Sequence, residues 1–276
     1  MRIQSSNDPK SFHDFEHQGW EAVSDRYEEH FARLTRQSAS VLLNAAKVTQ
    51  GVRVLDACCG PGMLAAEAAR RGAKAVGIDF SEAFLEIART RVSRVPFQRG
   101  DAQALDFDDE SFDAVVCGFG VIHLPEPGRA LSEFQRVVRR GGRVALSTWE
   151  APKPSNGFGL LYGAIKSHGN MDVPIPHGPD FFQFSHAETM TSALVDSGLT
   201  NAEAFVVDQT WELDDHDGLL TIMLEGAVRA RALLKAQSRE ASQAIRDAVR
   251  LGMNRFKTSE NQYRVPMPAL IGVGRK

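Results

Sequence analysis

The chain has 276 residues, 43% hydrophobic and 24% charged, with a formal net charge of -3. That length supports a sizeable core, and the near balance of charge excludes electrostatic attraction to nucleic acid or an acidic membrane as an organising feature. Three cysteines, Cys58, Cys59 and Cys117, make no disulfide framework, and no CxxC or His cluster supports a metal, so a reduced, cytoplasmic setting is expected.

The start, MRIQSSNDPKSF, lacks the apolar centre of a signal peptide, and no uncharged apolar run is long enough to cross a bilayer. Trp20 to Ala46 reads as one helix, with Val41, Leu42, Ala45 and Ala46 as a stripe near its end and Gly51 marking the stop. VRVLDA is then a strand, MLAAEAARRG an alanine-rich helix closed by Gly72, and KAVGID a strand. SEAFLEIARTRV is a helix capped by Ser81, with Phe84, Leu85, Ala88 and Val92 on one face. VPFQRG is a short strand, and SFDAVVCGFG a buried strand running into glycines. RALSEFQRVVRRGG reads as a helix ended by its glycine pair, which makes the basic run RVVRRGGR its solvated end; RVALSTW is the next strand.

This alternation argues for right-handed crossovers and a parallel sheet covered on both faces. After Trp149 the rhythm breaks. Pro152, Pro154, Pro174, Pro176 and Pro179 surround a single helix, NGFGLLYGAIKSH. HAETMTSALVDSGL is a helix, NAEAFVVDQTWEL a strand, Asp214 to Phe256 a long helical stretch, and YRVPMPALIGVGRK a closing strand. The organisation expected is a helical cap over residues 1–50, a core over 51–150, a lid insertion over 151–185, and a completion of the sheet with a further helical lid over 186–276.

The chemistry concentrates in VLDACCGPG, Val54 to Gly62. GPGMLA fits G-x-G-x-x-A, and Asp79 lies about 20 residues on, as a dinucleotide fingerprint asks. A dinucleotide loop, however, offers helix N–H groups to a pyrophosphate, and here Asp56 stands between the strand and the glycines. A carboxylate repels a polyanion and suits a cationic amine. The loop therefore predicts a ligand that joins an amino acid moiety to a nucleoside.

VLDACCGPGMLAAEAARRGAKAVGIDFSEAFLEIAR resembles the first half of a class I S-adenosylmethionine-dependent methyltransferase of the ubiquinone/menaquinone-biosynthesis type. The resemblance continues through GDAQALDFDDESFDAVVCGFGVIHLPEPGRALSEFQRVVRRGGRVALSTWE and so covers about residues 50–150. It implies a Rossmann-like α/β fold: a mostly parallel seven-stranded sheet with helices on both faces, an antiparallel last strand and helical lid insertions. It also implies S-adenosyl-L-methionine as cofactor. Carried over position by position, Asp56 orients the methionine end, Gly60 and Gly62 let the backbone approach it, and Cys117 offers its carbonyl to the methionine amine. Asp79 accepts the ribose hydroxyls and Phe80 lies against the adenine. Asp101 takes the adenine amino group, the Ala102 backbone reads the ring edge, Phe119 contacts the sulfonium side, and Tyr27 closes over the cofactor. Cys58 is a departure, since many members carry Gly or Ala there.

Plainer alternatives stand beside these roles. The three cysteines suit small buried fillers, Phe80 and Phe119 suit core residues, and Tyr27 suits packing of its helix. Asp56 as a mere turn cap fits poorly with acids at two further strand ends. His123 is placed where a general base could face the methyl, or is a helix-start histidine bonded to backbone. Glu150 reads as a substrate contact or a solvated loop acid. His177 could sit on the lid, and Phe181, Phe182 and Phe184 suit a greasy acceptor pocket or the lid's own core. Arg229 and Arg231 could meet a substrate anion, though solvated arginines are commoner.

The function expected is in-line methyl transfer to a small, apolar or aromatic acceptor, driven by positioning worth roughly 7–11 kcal/mol, with residues 1–48, 151–185 and 214–258 excluding water. Rival readings are an RNA or protein acceptor, which wants a basic groove that is not found; a nicotinamide-dependent oxidoreductase; and a nucleoside-binding protein without catalysis. No nucleic-acid or membrane partner is expected, and the exposed helices of the insert leave a homodimer open.

Overall fold

Nine strands form among the residues described, 8–258 and 262–276, in a computed structural model: β1 (Arg53–Ala57), β2 (Lys74–Asp79), β3 (Phe97–Arg99), β4 (Phe112–Gly118), β5 (Val138–Trp149), β6 (Thr200–Val207), β7 (Thr210–Leu213), β8 (Tyr263–Pro266) and β9 (Ala269–Arg275). Seven make one sheet in the order β3-β2-β1-β4-β5-β9-β6. β1 to β5 pair in parallel, whereas β9 runs antiparallel to both β5 and β6. The expected seven-stranded, mostly parallel α/β sheet with an antiparallel last strand is therefore present. Strand order reverses between β1 and β4, which leaves a crevice at their carboxyl ends.

The helices are α1 (Pro9–His30), α2 (Ala32–Ala45), α3 (Met63–Arg70), α4 (Glu82–Arg91), α5 (Pro127–Val137), α6 (Gly157–His168), α7 (Ala187–Asp196), α8 (Gly218–Gly226), α9 (Arg229–Lys235) and α10 (Arg239–Met253). The chain divides into two compact units. A sheet unit takes Thr35–Glu150, Pro179–Val207 and Ala269–Lys276; a helical unit takes the chain up to Leu34, Ala151–Gly178 and Asp208–Pro268.

In the sheet unit, Leu42 and Leu43 of α2, Ala65 and Ala68 of α3, and Leu85 and Ala88 of α4 bury against Val54, Val116, Ala145 and Ile271. Ser81 caps α4 by accepting from the Phe84 N–H. The buried Leu131 and Phe134 belong to α5, and Met190 and Leu194 of α7 fill the space above Gly272, where a Cβ would lie 2.4 Å from Met190.

The helical unit contains α1, α6 and α8 to α10, with β7 and β8 as an antiparallel ribbon. Its interior holds a charge: Glu16 is fully buried and accepts from Trp20 Nε1 at 3.0 Å and from Arg229 Nε at 2.5 Å. Among the described residues, no helix is long and apolar enough to cross a membrane.

Four local expectations are corrected. The helix expected over Trp20–Ala46 begins at Pro9, capped by Asp8, and breaks at Phe31. The carbonyl at that break, His30 O, receives the Trp211 indole N–H at 3.0 Å, a partner far away in sequence. The helix expected to run to the glycine pair ends at Val137, and the rest of the run RVVRRGGR, from Val138, instead opens β5 with a register shift against β4. Its arginines are not free: Arg136 pairs with Glu133 and Asp109, Arg139 with Asp113 and Arg140 with Glu110. NAEAFVVDQTWEL splits into β6 and β7, and YRVPMPALIGVGRK into β8 and β9, each pair divided between two sheets. Pro266 and Pro268 lack the N–H groups that one continuous ladder needs.

Candidate functional site

At the end of β1 the chain buries an acid. Asp56 is 1% exposed; its Oδ2 accepts the Ala65 N–H at 2.9 Å, and its Oδ1 has no partner. Burial, offset in part by the Ala65 N–H and reinforced by nearby Asp79, pushes the carboxyl up to about 8. An orphaned buried carboxyl oxygen is costly unless something donates to it. A cationic ligand group placed there would supply both a donor and the charge that lets this acid ionise.

The turn that follows is held by its own bonds. The Cys59 N–H reaches Ile78 O at 2.8 Å, the Gly60 N–H reaches Asp79 Oδ2 at 2.7 Å, and the Gly62 N–H reaches Cys59 O at 3.0 Å. Pro61 has no N–H, so these residues leave no cradle for a pyrophosphate. Asp56 also occupies an N–H of the first turn of α3, where a phosphate would sit in a dinucleotide fold. Gly60 and Gly62 have φ of +51° and +80°. A Cβ on Gly62 would lie 2.7 Å from the Phe97 ring, while a Cβ on Gly60 meets nothing within 4 Å of the protein. Gly60 thus presents bare backbone, as close approach by a ligand requires.

Asp79 ends β2 and is buried; besides Gly60 it accepts the Ser81 N–H at 2.9 Å. These two backbone N–H groups fix the orientation of the carboxylate at the strand end. Phe80 follows it, half-buried. Past β3, Asp101 Oδ1 accepts the Gln103 N–H at 2.8 Å and the Gln103 side-chain amide at 3.1 Å. The Gln103 side-chain oxygen Oε1 in turn accepts the Glu126 N–H at 2.8 Å. Gln103, which the sequence reading passed over, orients Asp101; an acid two residues before it, closing an Asx-type turn, is the local signal. Ala102 beside it is buried.

Cys117 lies near the end of β4, fully buried. Cys58 takes a φ of +55°, which explains why a glycine suits that position. Its neighbour Cys117 and burial push the Cys58 thiol well up, so Cys58 is not a poised nucleophile. Both thiols converge on Gly120: a Cβ there would lie 3.0 Å from Cys58 Sγ and 3.2 Å from Cys117 Sγ. Gly120, also unremarked in the sequence, is the space that admits them.

Phe119, with a φ of +61°, stacks its ring 4.2 Å from that of Trp149. His123 closes a 3-10 turn, Val121–His123, with its N–H on Gly120 O at 3.0 Å and its ring 5.6 Å from that of Phe181. Phe181 meets Phe182 edge-on at 4.9 Å, and the Thr148 hydroxyl donates to Phe184 O at 3.1 Å, which ties this segment to β5.

The sheet unit therefore gathers Asp56, Cys58, Gly60, Gly62, Asp79, Phe80, Asp101, Ala102, Cys117 and Phe119 at the carboxyl ends of four neighbouring strands. Tyr27 belongs to the helical unit, its ring stacked on Phe31 at 5.8 Å and edge-on to Trp20 at 5.7 Å. His177 and Arg229 belong there too.

Residues 55–146 match the family described as a methyltransferase domain. The chain is 41% identical over 121 residues to a demethylmenaquinone methyltransferase of Clavibacter sepedonicus, covering 42% of this chain and 49% of that enzyme. It is 29% identical over 211 residues to an uncharacterised protein of Mycobacterium tuberculosis, covering 75% of this chain and 66% of that protein. The chain thus spans about half the length of the first relative and under two thirds of the second. Among solved structures it shares its fold with a phosphoethanolamine N-methyltransferase of Haemonchus contortus in complex with S-adenosyl-L-methionine, with TM-score 0.58, 19% identity, and coverage of 96% of this chain and 60% of the other.

Proposed function

We propose that the chain, whose residues 55–146 match a methyltransferase domain, is a class I S-adenosylmethionine-dependent methyltransferase that binds S-adenosyl-L-methionine and transfers its methyl group to a small apolar or aromatic acceptor. The observation that carries this reading is the buried, unpartnered Asp56 oxygen beside acids on two further strand ends. That set suits a ligand with a cationic amine at one end and a ribose and adenine at the other.

In this reading Asp56 takes the ammonium, and the bare Gly60 backbone admits the aminoacyl chain. The Asp79 carboxylate, already fixed by two backbone N–H groups, accepts the ribose hydroxyls with little reorganisation. Asp101, held by Gln103, accepts from the adenine amino group. The cofactor supplies a methyl already activated by a sulfonium, so the chain need not protonate a leaving group. Its task is to hold an acceptor about 3–3.5 Å from that carbon and in line.

The aromatic rings of Phe119, Trp149, Phe181 and Phe182 suit a planar apolar acceptor, and the quinone type of the Clavibacter relative agrees with that chemistry. His123, beside Phe181, is the side chain able to take a proton from an acceptor hydroxyl.

The test has two parts. Calorimetry with S-adenosylhomocysteine should show binding that is lost in Asp79→Ala; absence of binding to the wild type ends the proposal. A methyl-labelled donor offered with hydroxylated naphthalenes should then yield labelled product, with turnover lowered about 100-fold or more in His123→Gln if the imidazole removes the proton. Label transfer that is indifferent to that change assigns His123 to structure alone. Protein-dependent quenching or shift of NADH fluorescence would instead favour an oxidoreductase.

A further inference from the structure

The two arginines of the segment VRAR separate in the helical unit. Arg229 is neutralised, its Nε 2.5 Å from Glu16 and its guanidinium 4.5 Å over the Phe12 ring. Arg231 points elsewhere. It lies one turn before Lys235 on the same side of α9, and among the described residues neither forms an ion pair.

Both cations line a cleft of about 270 Å³ where α1 meets the turn from α8 to α9. Phe15, Val228 and Ala232 give it an apolar wall, and the Gln18 amide stands on its rim. Gly19 lets the helices close on one another; a Cβ there would lie 2.4 Å from Val228. Four acids of the adjoining elements pair with groups other than these cations. Asp14 sits 3.6 Å from His13, Glu21 lies 3.7 Å from His17, Glu16 holds Arg229, and Glu225 meets His30 at 3.0 Å.

Two unpaired cations beside an apolar wall recognise an anionic head joined to an apolar tail. We propose that this cleft binds a small alkyl carboxylate, its head on Arg231 and Lys235 and its tail against Phe15, Val228 and Ala232. Inorganic phosphate engages only the cationic half and a neutral alcohol only the apolar half, so neither matches it. The site stands independently of methyl transfer, because it uses no residue assigned to the cofactor.

The experiment is calorimetry of the full chain with butanoate, hexanoate, octanoate and decanoate, alongside octanol and inorganic phosphate. Affinity should rise about fourfold per methylene while the tail covers the wall, then level off within the series because the cleft is small. Octanol and phosphate should bind at least about tenfold more weakly than octanoate, and Arg231→Gln with Lys235→Gln should weaken octanoate by a similar factor. Ala232→Phe, which fills the wall and keeps both cations, should weaken octanoate as well. Unchanged melting temperatures in these surface variants separate loss of the site from loss of the fold. No octanoate binding to the wild type overturns the proposal, as does octanol binding as tightly as octanoate or undiminished binding to the double variant.

Discussion

Replacing Asp56 by Asn tests the electrostatic core of the site. The folded carboxyl titrates at about 8, against an ordinary value of 3.8. Four units at 1.36 kcal/mol each amount to roughly 5 kcal/mol. Between those two values the folded chain carries the proton and the unfolded chain does not, so stability falls as pH rises from about 4 to about 8. Asp56→Asn keeps an acceptor for the Ala65 N–H and removes the titration. It should flatten that fall and make the protein more stable than the wild type above about pH 8.

Binding responds in the opposite sense. An ammonium against Asp56 requires the carboxylate, so at neutral pH S-adenosylhomocysteine should displace close to one proton, and its affinity should climb by up to about tenfold per pH unit until about pH 8. Calorimetry in two buffers of different ionisation enthalpy reads that proton directly. Asp56→Asn should bind more weakly, with no proton release and a flat profile. Wild-type affinity that is independent of pH, with no proton exchanged, would refute the reasoning.

Further substitutions probe other parts of the structure. Gly62→Ala forces a Cβ against the Phe97 ring at a φ of +80° and should cost about 2–5 kcal/mol in urea unfolding. Gly60→Ala meets no protein atom and should cost only about 1–2 kcal/mol, yet weaken S-adenosylhomocysteine by more than that loss implies; equal effects of the two changes on binding would contradict the close-approach role. Asp79→Asn leaves one of two buried backbone donors facing an amide and should cost about 1–3 kcal/mol, with Asp79→Ala costing about twice that. Arg229→Ala strands the fully buried Glu16 and should destabilise by about 3–5 kcal/mol; a loss under 1 kcal/mol would show that Glu16 takes up a proton at little cost.

Much of the sheet unit was legible because its signals are local. Alternating apolar strands and helices fixed the parallel order, and Asp56, Asp79 and Asp101 could be placed on strand ends from their positions alone. The Ser81 cap and the glycine turn are short-range chemistry of the same kind. What escaped the sequence is set by partners distant along the chain. The break at Phe31 depends on Trp211 reaching the His30 carbonyl. Gln209, its side chain on Leu34 O and its carbonyl on the Met267 N–H, fixes the point where β6 gives way to β7. The charge state of Asp56 was hidden for a different reason: a sequence shows a carboxyl group, but not the burial that keeps a proton on it.

The Asp79 carboxylate grips the Gly60 N–H across a separation of 19 residues, and this has a consequence for association. It staples the glycine turn to the end of the second strand, so a nucleoside bound as proposed would meet a finished mould and should forfeit little chain freedom on docking. Partners that share the nucleoside should therefore bind through the same rigid rim, and differences between them should arise in the parts of the ligand that project beyond it.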